Sequence, residues 1–502
     1  MSSLRYDVSL GWRLARAVPV VLLYGSVAAL CIALLPQSAW HESFGSFAAI
    51  GVVGIWRYGW LLTHCVRALI YEHYVYSRWQ HAASQLPPDR KYPRRLIFVI
   101  PTFGEKPEVS RRMLTSVLDE SSTIPSRVTV YINAGSDEED AVFRETHARH
   151  PRASAAEVVY IRQRGGKRQG MADVLRAVAE LELGEQDAVV LMDGDTVLGR
   201  NILRKCLPLF ALHPKLAALT TDNISVTTGH WLYRRWYTLR FAMRHRYMKS
   251  QSLSRQLLVL TGRFSIFRAN WCVRDDFIGA LENDRIRHWL HGEIKFVTGD
   301  DKSTWYTLLR HGCEMVYVPD AHIFCMEDST DRPFMTSVRK MHRWFGNMLR
   351  NNGRAIRLGL APQKAFIWWC HIDQRLSIWT SLLGPACALW AAWWISPYYL
   401  LLYAALVIIV RSAYVVLLAI EGHRPSLTDI PLLLYTQWGG SLVKTYTLFH
   451  LHRQKWDAHR ESADRRRSTA RDPWPVFLIP KMQMVLSFSV LLLIIALMVG
   501  VR

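Results

Sequence analysis

Residues 188–195 read Ala-Val-Val-Leu-Met-Asp-Gly-Asp: five apolar residues closed by an acid, a glycine and a second acid. A short apolar run rich in β-branched residues and ending in a turn former reads as a buried strand. Three similar runs stand upstream, at 95–100 (RLIFVI), 128–132 (VTVYI) and 158–161 (VVYI). Helical patterns separate the first two and follow the last two, for example over 170–183. That alternation predicts an α/β arrangement of βαβ units with a mainly parallel sheet. In such a sheet ligands bind beyond the carboxyl ends of the strands.

The four strand ends are polar or glycine-rich: 101–105 (PTFGE), 133–140 (NAGSDEED), 162–168 (RQRGGKR) and 193–195 (DGD). Asp193 and Asp195 suit a shared Mg²⁺ or Mn²⁺, since these ions take a few carboxylates plus substrate phosphate oxygens. Asp-Gly-Asp is equally an ordinary turn after a strand. Glycines and cations around Lys167, opening a helix, form an anion site. Thr102 and Glu105 on the first loop are candidate substrate contacts. A second acidic pair lies in 298–302 (TGDDK), ahead of a helical stretch over 303–310. Asp300 suits capping of that helix. Asp301 suits general-base removal of a hydroxyl proton, with Asp300 and Lys302 as its candidate catalytic neighbours.

Residues 335–350 (MTSVRKMHRWFGNMLR) are amphipathic, with Val338, Met341, Phe345 and Met348 on one face. Such a helix lies at a membrane interface. Alternatively Trp344 offers a sugar a flat face and Arg343 pairs an anion.

Across all 502 residues, hydrophobic side chains make up 50% and charged ones 21%, which excludes a disordered, collagen-like or low-complexity chain. Lys and Arg number 62 against 41 Asp and Glu, a net charge of +21, yet mean hydropathy is +0.04. Both hold together when apolar and basic residues occupy different regions, as in a membrane protein with a cationic cytoplasmic side. The eight cysteines form no CxxC pair, so buried, reduced thiols are expected.

Apolar runs at 17–35 and 44–70 predict a helical hairpin, with flanking Arg13, Arg16, Arg67 and Arg78 on the cytoplasmic side. No spanning segment is expected over 77–370. Further spans are expected at 376–395, 398–420 and 484–501. The run 430–451 contains Gly439, Gly440 and Lys444 and precedes the basic segment 452–474. An interfacial or re-entrant helix there leaves five spans; six is the alternative.

The order IPTFGE, SDEED, GGKRQG, DGD, TGRFSIF, TGDDK and RKMHRW resembles the processive membrane glycosyltransferases of family 2, among them the cellulose, hyaluronan and chitin synthases and alginate polymerases. The resemblance implies a GT-A-type, Rossmann-like cytoplasmic domain inserted between transmembrane helical segments. The implied division is a transmembrane hairpin over 1–76, the GT-A domain over 77–334, and interface helices over 335–375. A transmembrane channel region over 376–502 would then hold the basic loop 452–474. By resemblance Asp137 is a nucleotide-contacting acid, with Asp140 the alternative. Asp193 and Asp195 are the metal and diphosphate pair, Asp301 is the catalytic base, and Arg343 and Trp344 hold diphosphate and acceptor sugar. Lys340 stands where relatives carry Gln. Lys455, Trp456 and Arg460 are loosely similar to a gating segment of hyaluronan synthases.

Within the family, TGDDKSTW is most similar to the alginate polymerases of the bacterial inner membrane. That implies GDP-mannuronate as donor, a growing polymannuronate as product, and any cyclic-di-GMP control through a separate PilZ partner subunit. Arg57, Arg411 and Lys444 within apolar runs suit an anionic polysaccharide, although hyaluronan fits almost as well. The rivals are a UDP-sugar synthase, a non-processive transferase acting on a lipid carrier, and a transporter with a degenerate domain. The positive charge is assigned to donor, polymer and membrane, with no nucleic acid partner expected.

Overall fold

The computed structural model describes residues 9–37, 44–328, 332–454 and 474–499; the side chains of residues 44–53, 498 and 499 lie outside the description. The four expected strands are present as β1 (Arg95–Pro101), β2 (Arg127–Ala134), β3 (Glu157–Arg162) and β4 (Ala188–Met192). They run parallel, with β2 between β3 and β1, and β1 beside β4. All five residues of β4 are buried, which is why its sequence is an unbroken apolar run. Each such Val, Leu or Ile contributes roughly 1.5–3 kcal/mol on burial.

The sheet continues through β5 (Thr196–Leu198), β6 (Leu216–Thr228), β7 (Phe264–Arg268) and β10 (Glu314–Asp328), in the order β3-β2-β1-β4-β7-β6-β10-β5. Here β7 runs antiparallel to β4 and β6, β10 parallel to β6, and β5 antiparallel to β10. The sheet is therefore mixed beyond β4. A separate hairpin joins β8 (Arg285–His288) and β9 (Gly292–Lys295). Apolar clusters cover both faces of the large sheet, one built on Phe98, Val130 and Val190, the other on Val99, Val189 and Trp305. The strand order turns back between β1 and β4, so a crevice opens beside Thr102 and Asp193.

Four helices among the described residues are long and apolar enough to cross a membrane: Leu10–Ala33, Ala365–Trp394, Tyr398–Ile420 and Trp474–Leu497. The expected second span, Phe44–Ile70, is a continuous helix of 27 residues but is not one of the four. Its polar side chains are held by protein: Arg57 by Asp373, His64 Nδ1 at 2.8 Å from Ser250 Oγ, and Arg67 by Ser254 at 2.6 Å. Those serines sit on or just beyond the helix Trp231–Ser252, which fastens the sheet domain to the helical region. The expected run 430–451 is helical without a break over residues 429–449, with a π-turn at Tyr435–Gly439 between the α-helical stretches Asp429–Leu434 and Gly440–Phe449. Of the basic segment, 455–473 lie outside the described residues, with Lys455, Trp456 and Arg460. All eight cysteines are free thiols, and all except Cys31 are buried.

Candidate active site

The crevice gathers two pairs of acids from separate parts of the chain. Asp193 and Asp195 follow β4; Asp300 and Asp301 open the helix Asp300–Arg310. The Lys167 ammonium joins the two groups, 2.6 Å from Asp193 Oδ1 and 2.9 Å from Asp300 Oδ2. It is delivered by Gly165 and Gly166, whose φ of 74° and 87° turn the chain into the helix Lys167–Ala179. Next in sequence, buried Arg168 donates to the carbonyls of Leu281 and Ala280 and to Ser303 Oγ at 2.9 Å. That bond locks one helix N-terminus against the other. A Cβ at Gly262 would lie 3.5 Å from Asp301 Cβ, 3.7 Å from Asp300 Oδ2 and 3.9 Å from Asp193 Oδ2. Glycine there leaves the space between the acids open.

The electrostatics divide the acids by role. Burial and then the neighbouring Asp300 raise the Asp301 carboxyl to about 6. Burial pushes Asp300 the same way, but Lys167 and Arg168 outweigh it and hold Asp300 below the usual carboxylate range. Asp193 is raised by burial, with Asp195 and Asp300 adding to the effect. Lys167 is held in its charged form by Asp193 and Asp300 against the cost of burial. Glu105 rises to about 7 through burial and then repulsion from Asp195, Asp193 and Glu139. Burial draws Lys302 down to about 8, opposed by Asp301; its ammonium donates to the Leu258 carbonyl at 2.5 Å.

Asp137 and Asp140, the two candidate nucleotide-contacting acids, both lie on the helix Asp137–Arg149. The Asp137 side chain is 93% exposed and pairs outward with Arg162 at 3.2 Å, while Asp140 pairs with Arg144 on its own helix. The acid that turns back to the strand ends is Glu139, one of the same acidic run. It accepts from Thr102 Oγ1 at 3.2 Å and from the backbone N–H groups of Glu105 and Gly135, both at 2.9 Å. Helix geometry explains the choice: Ser136 caps the helix at Glu139, and that turn aims Glu139 inward.

Arg343 and Trp344 lie on the helix Pro333–Arg357 and line the same cavity as the acids. Trp344 is stacked 6.0 Å from Trp236 and 5.8 Å from Tyr237, and the Arg240 guanidinium lies 5.8 Å from its ring centre. The cavity, about 900 Å³, extends from Asp193, Asp300 and Asp301 past Arg263 and Trp344 to Pro385, Tyr403, Leu406 and Arg411. The last four belong to two of the apolar helices. Sequence reasoning passed over Arg263, Tyr237, Glu139 and Glu327. Only TGRFSIF, as a motif, pointed toward the first.

Among the described residues no three His, Cys, Asp or Glu side chains converge on a single metal position. The donor set fits an ion that takes one or two carboxylates and completes its shell with phosphate oxygens.

A sheet with this switch point, closed by carboxylates and a lysine, is a scaffold suited to binding a phosphorylated ligand at its strand ends. The profile described as "Glycosyltransferase like family 2" matches residues 93–347, and the chain belongs to that family. It is a glycosyltransferase and a membrane protein. It is 34% identical to "Glycosyltransferase alg8" of Pseudomonas syringae pv. tomato, over 87% of this chain and 89% of the relative. The protein of the same name from Azotobacter vinelandii is also 34% identical, over 88% and 90%. An N-acetylglucosaminyltransferase of Rhizobium meliloti is 23% identical over 71% of this chain and 80% of its own. Among solved structures, the mannosyltransferase PcManGT from Pyrobaculum calidifontis, in complex with GDP-Man and Mn²⁺, is 19% identical. It covers 81% of this chain and 99% of that one, with a TM-score of 0.45.

Proposed function

We propose that the chain is a processive, inverting glycosyltransferase that polymerises GDP-mannuronate into polymannuronate, the alginate precursor, and passes the polymer across the bacterial inner membrane. The carrying observation is the single cavity that leads from the acids into the apolar helices. Beyond the acids its walls include Arg57, Arg240, Arg244, Arg411 and Lys444 against one carboxylate, Asp373, which is already paired with Arg57. A cationic lining in an apolar surround favours a polymer with a carboxylate on every sugar. The alg8 similarity over most of the chain supports the same reading.

In this mechanism Thr102, Glu105 and Glu139 shape the nucleotide end of the crevice, and Lys167 offers its charge to the donor diphosphate. Asp193 and Asp195 would hold Mg²⁺ or Mn²⁺, which when bound supplies further positive charge to the departing diphosphate. Asp301 is the general base, removing the proton from the acceptor hydroxyl as that oxygen attacks the anomeric carbon. The bond to the diphosphate breaks on the opposite face, so the configuration inverts. An acid near 6 is matched to that task at neutral pH, being ionised yet more basic than an exposed aspartate. Arg343 and Trp344 steady the acceptor end at the mouth of the cavity.

The division into a hairpin over 1–76, a transfer domain over 77–334, interface helices over 335–375 and a channel region over 376–502, with the transfer domain in the cytoplasm, is part of this proposal. The test is incubation of membranes with labelled GDP-mannuronate or with UDP-sugars. Long-chain product from GDP-mannuronate alone supports the reading, and product only from a UDP-sugar overturns it.

A further inference from the structure

Glu327, near the end of β10, has a largely buried side chain that meets donors from two helices and from the turn before β7. It accepts from Tyr237 on the helix Trp231–Ser252, from Lys340 on the helix Pro333–Arg357, and from Arg263 at 3.1 Å. The same Arg263 guanidinium reaches Asp195 Oδ2, also at 3.1 Å. Charges therefore alternate along a continuous line: Asp195, Arg263, Glu327, Lys340. The backbone ties its first three members together, since Met326 N–H donates to the Asp195 carbonyl at 3.1 Å and Asp193 N–H to the Arg263 carbonyl at 3.2 Å.

Arg263 is thus shared between two carboxylates, and any positive ligand arriving at Asp195 must compete with it. A guanidinium drawn strongly to Glu327 holds Asp195 less firmly. Lys340 competes with Arg263 for Glu327, and it sits one helical turn before Arg343 and Trp344. We infer that Glu327 is a positioning residue that sets how readily Asp195 accepts a divalent cation, and that Lys340 couples this setting to the acceptor-holding helix. The inference rests on the reading of Asp195 as a cation-binding acid.

The two partners of Arg263 predict opposite signs. Glu327→Gln leaves Arg263 with Asp195 as its one carboxylate partner beside the Tyr237 hydroxyl, so cation binding weakens. Lys340→Gln leaves Glu327 to Arg263 and the Tyr237 hydroxyl, with Arg263 its one cation, so cation binding is unchanged or tighter. A merely structural role would impair both variants alike.

The experiment is equilibrium titration of Mn²⁺ into the purified full-length protein with GDP present, reading free Mn²⁺ by electron paramagnetic resonance. It needs no turnover. The expected result is a dissociation constant raised about fivefold or more in Glu327→Gln, and equally in Glu327→Gln/Lys340→Gln, but not raised in Lys340→Gln. Equal weakening in the two single variants, or no change in Glu327→Gln, overturns the inference. Asp195→Asn serves as the separate control: wild-type Mn²⁺ binding there removes the underlying reading of Asp195, whereas lost binding there with a silent Glu327→Gln removes only this inference.

Discussion

Lys167 and Asp193 are in direct contact, 2.6 Å from ammonium to carboxylate, although they close two different strand-end loops. The contact converts two separate turns into one charged pocket, and the second bond from Lys167 to Asp300 brings in the remaining acidic loop. With Lys167 replaced by Met, Asp193 and Asp300 would face one another without their shared cation. Turnover of the donor should fall on the order of 100-fold, the scale seen when a preorganised charge is removed from a transition state. Lys167→Arg should recover part of it. Unchanged kcat/KM in Lys167→Met would exclude Lys167 from the transfer step.

The pH dependence follows from Asp301 and its neighbour. Below about 6 the Asp301 carboxyl is protonated and cannot accept the hydroxyl proton, so kcat/KM should rise as pH increases through about 6. The Lys302 charge favours the ionised form of Asp301, and that charge fades as pH passes about 8. Lys302→Met should therefore move the rising limb to higher pH. A limb that stays in place would show that Lys302 does not act on Asp301.

Only part of this pocket was legible in the sequence. Strands β1 to β4 were: β1 and β4, buried on both faces, become unbroken apolar runs, and β2 and β3 keep enough β-branched residues to be read beside them. Strands β6 and β10 were not. The middle of β6 buries Thr220, Thr221, Asp222 and Asn223, and polar residues in a strand core erase the apolar signal. Strand β10 carries Pro319 and Asp320 at a register shift between Val318 and His322. With those strands hidden, nothing in the sequence could bring Glu327 to Arg263. Nor was the inward turn of Glu139 legible: in a run of four acids, neighbours are about 100° apart around the helix, and only the helix start at Ser136 fixes which faces inward.

The lining of the membrane-side cavity should govern product length rather than chemistry. Arg411 projects from the helix Tyr398–Ile420 and donates to Gln437 on the π-turn. Arg411→Glu sets a like charge against a polyuronate. Long-chain product should fall about tenfold or more while the first transfers to a short acceptor persist. Size-resolved analysis of labelled product checks this; loss of both together would place Arg411 in the transfer step instead.

Assembly of the two regions depends on a buried charge. Lys249, fully buried, pairs with Glu72 at 2.7 Å and Glu421 at 3.4 Å, and Arg246 also meets Glu421 at 3.0 Å. Lys249→Met leaves Glu72 without its cation, which should cost about 3–5 kcal/mol. A clearly lower unfolding temperature of the detergent-purified protein is expected, and an unchanged one would mean that water or another group satisfies Glu72.

The most direct measurement is polymer formation by Asp301→Asn in membranes supplied with labelled GDP-mannuronate and Mg²⁺. The wild-type chain should make long-chain polymannuronate. The variant, isosteric but unable to accept the proton, should make none while its protein level and donor binding stay near normal. Full polymer synthesis by Asp301→Asn would contradict the account.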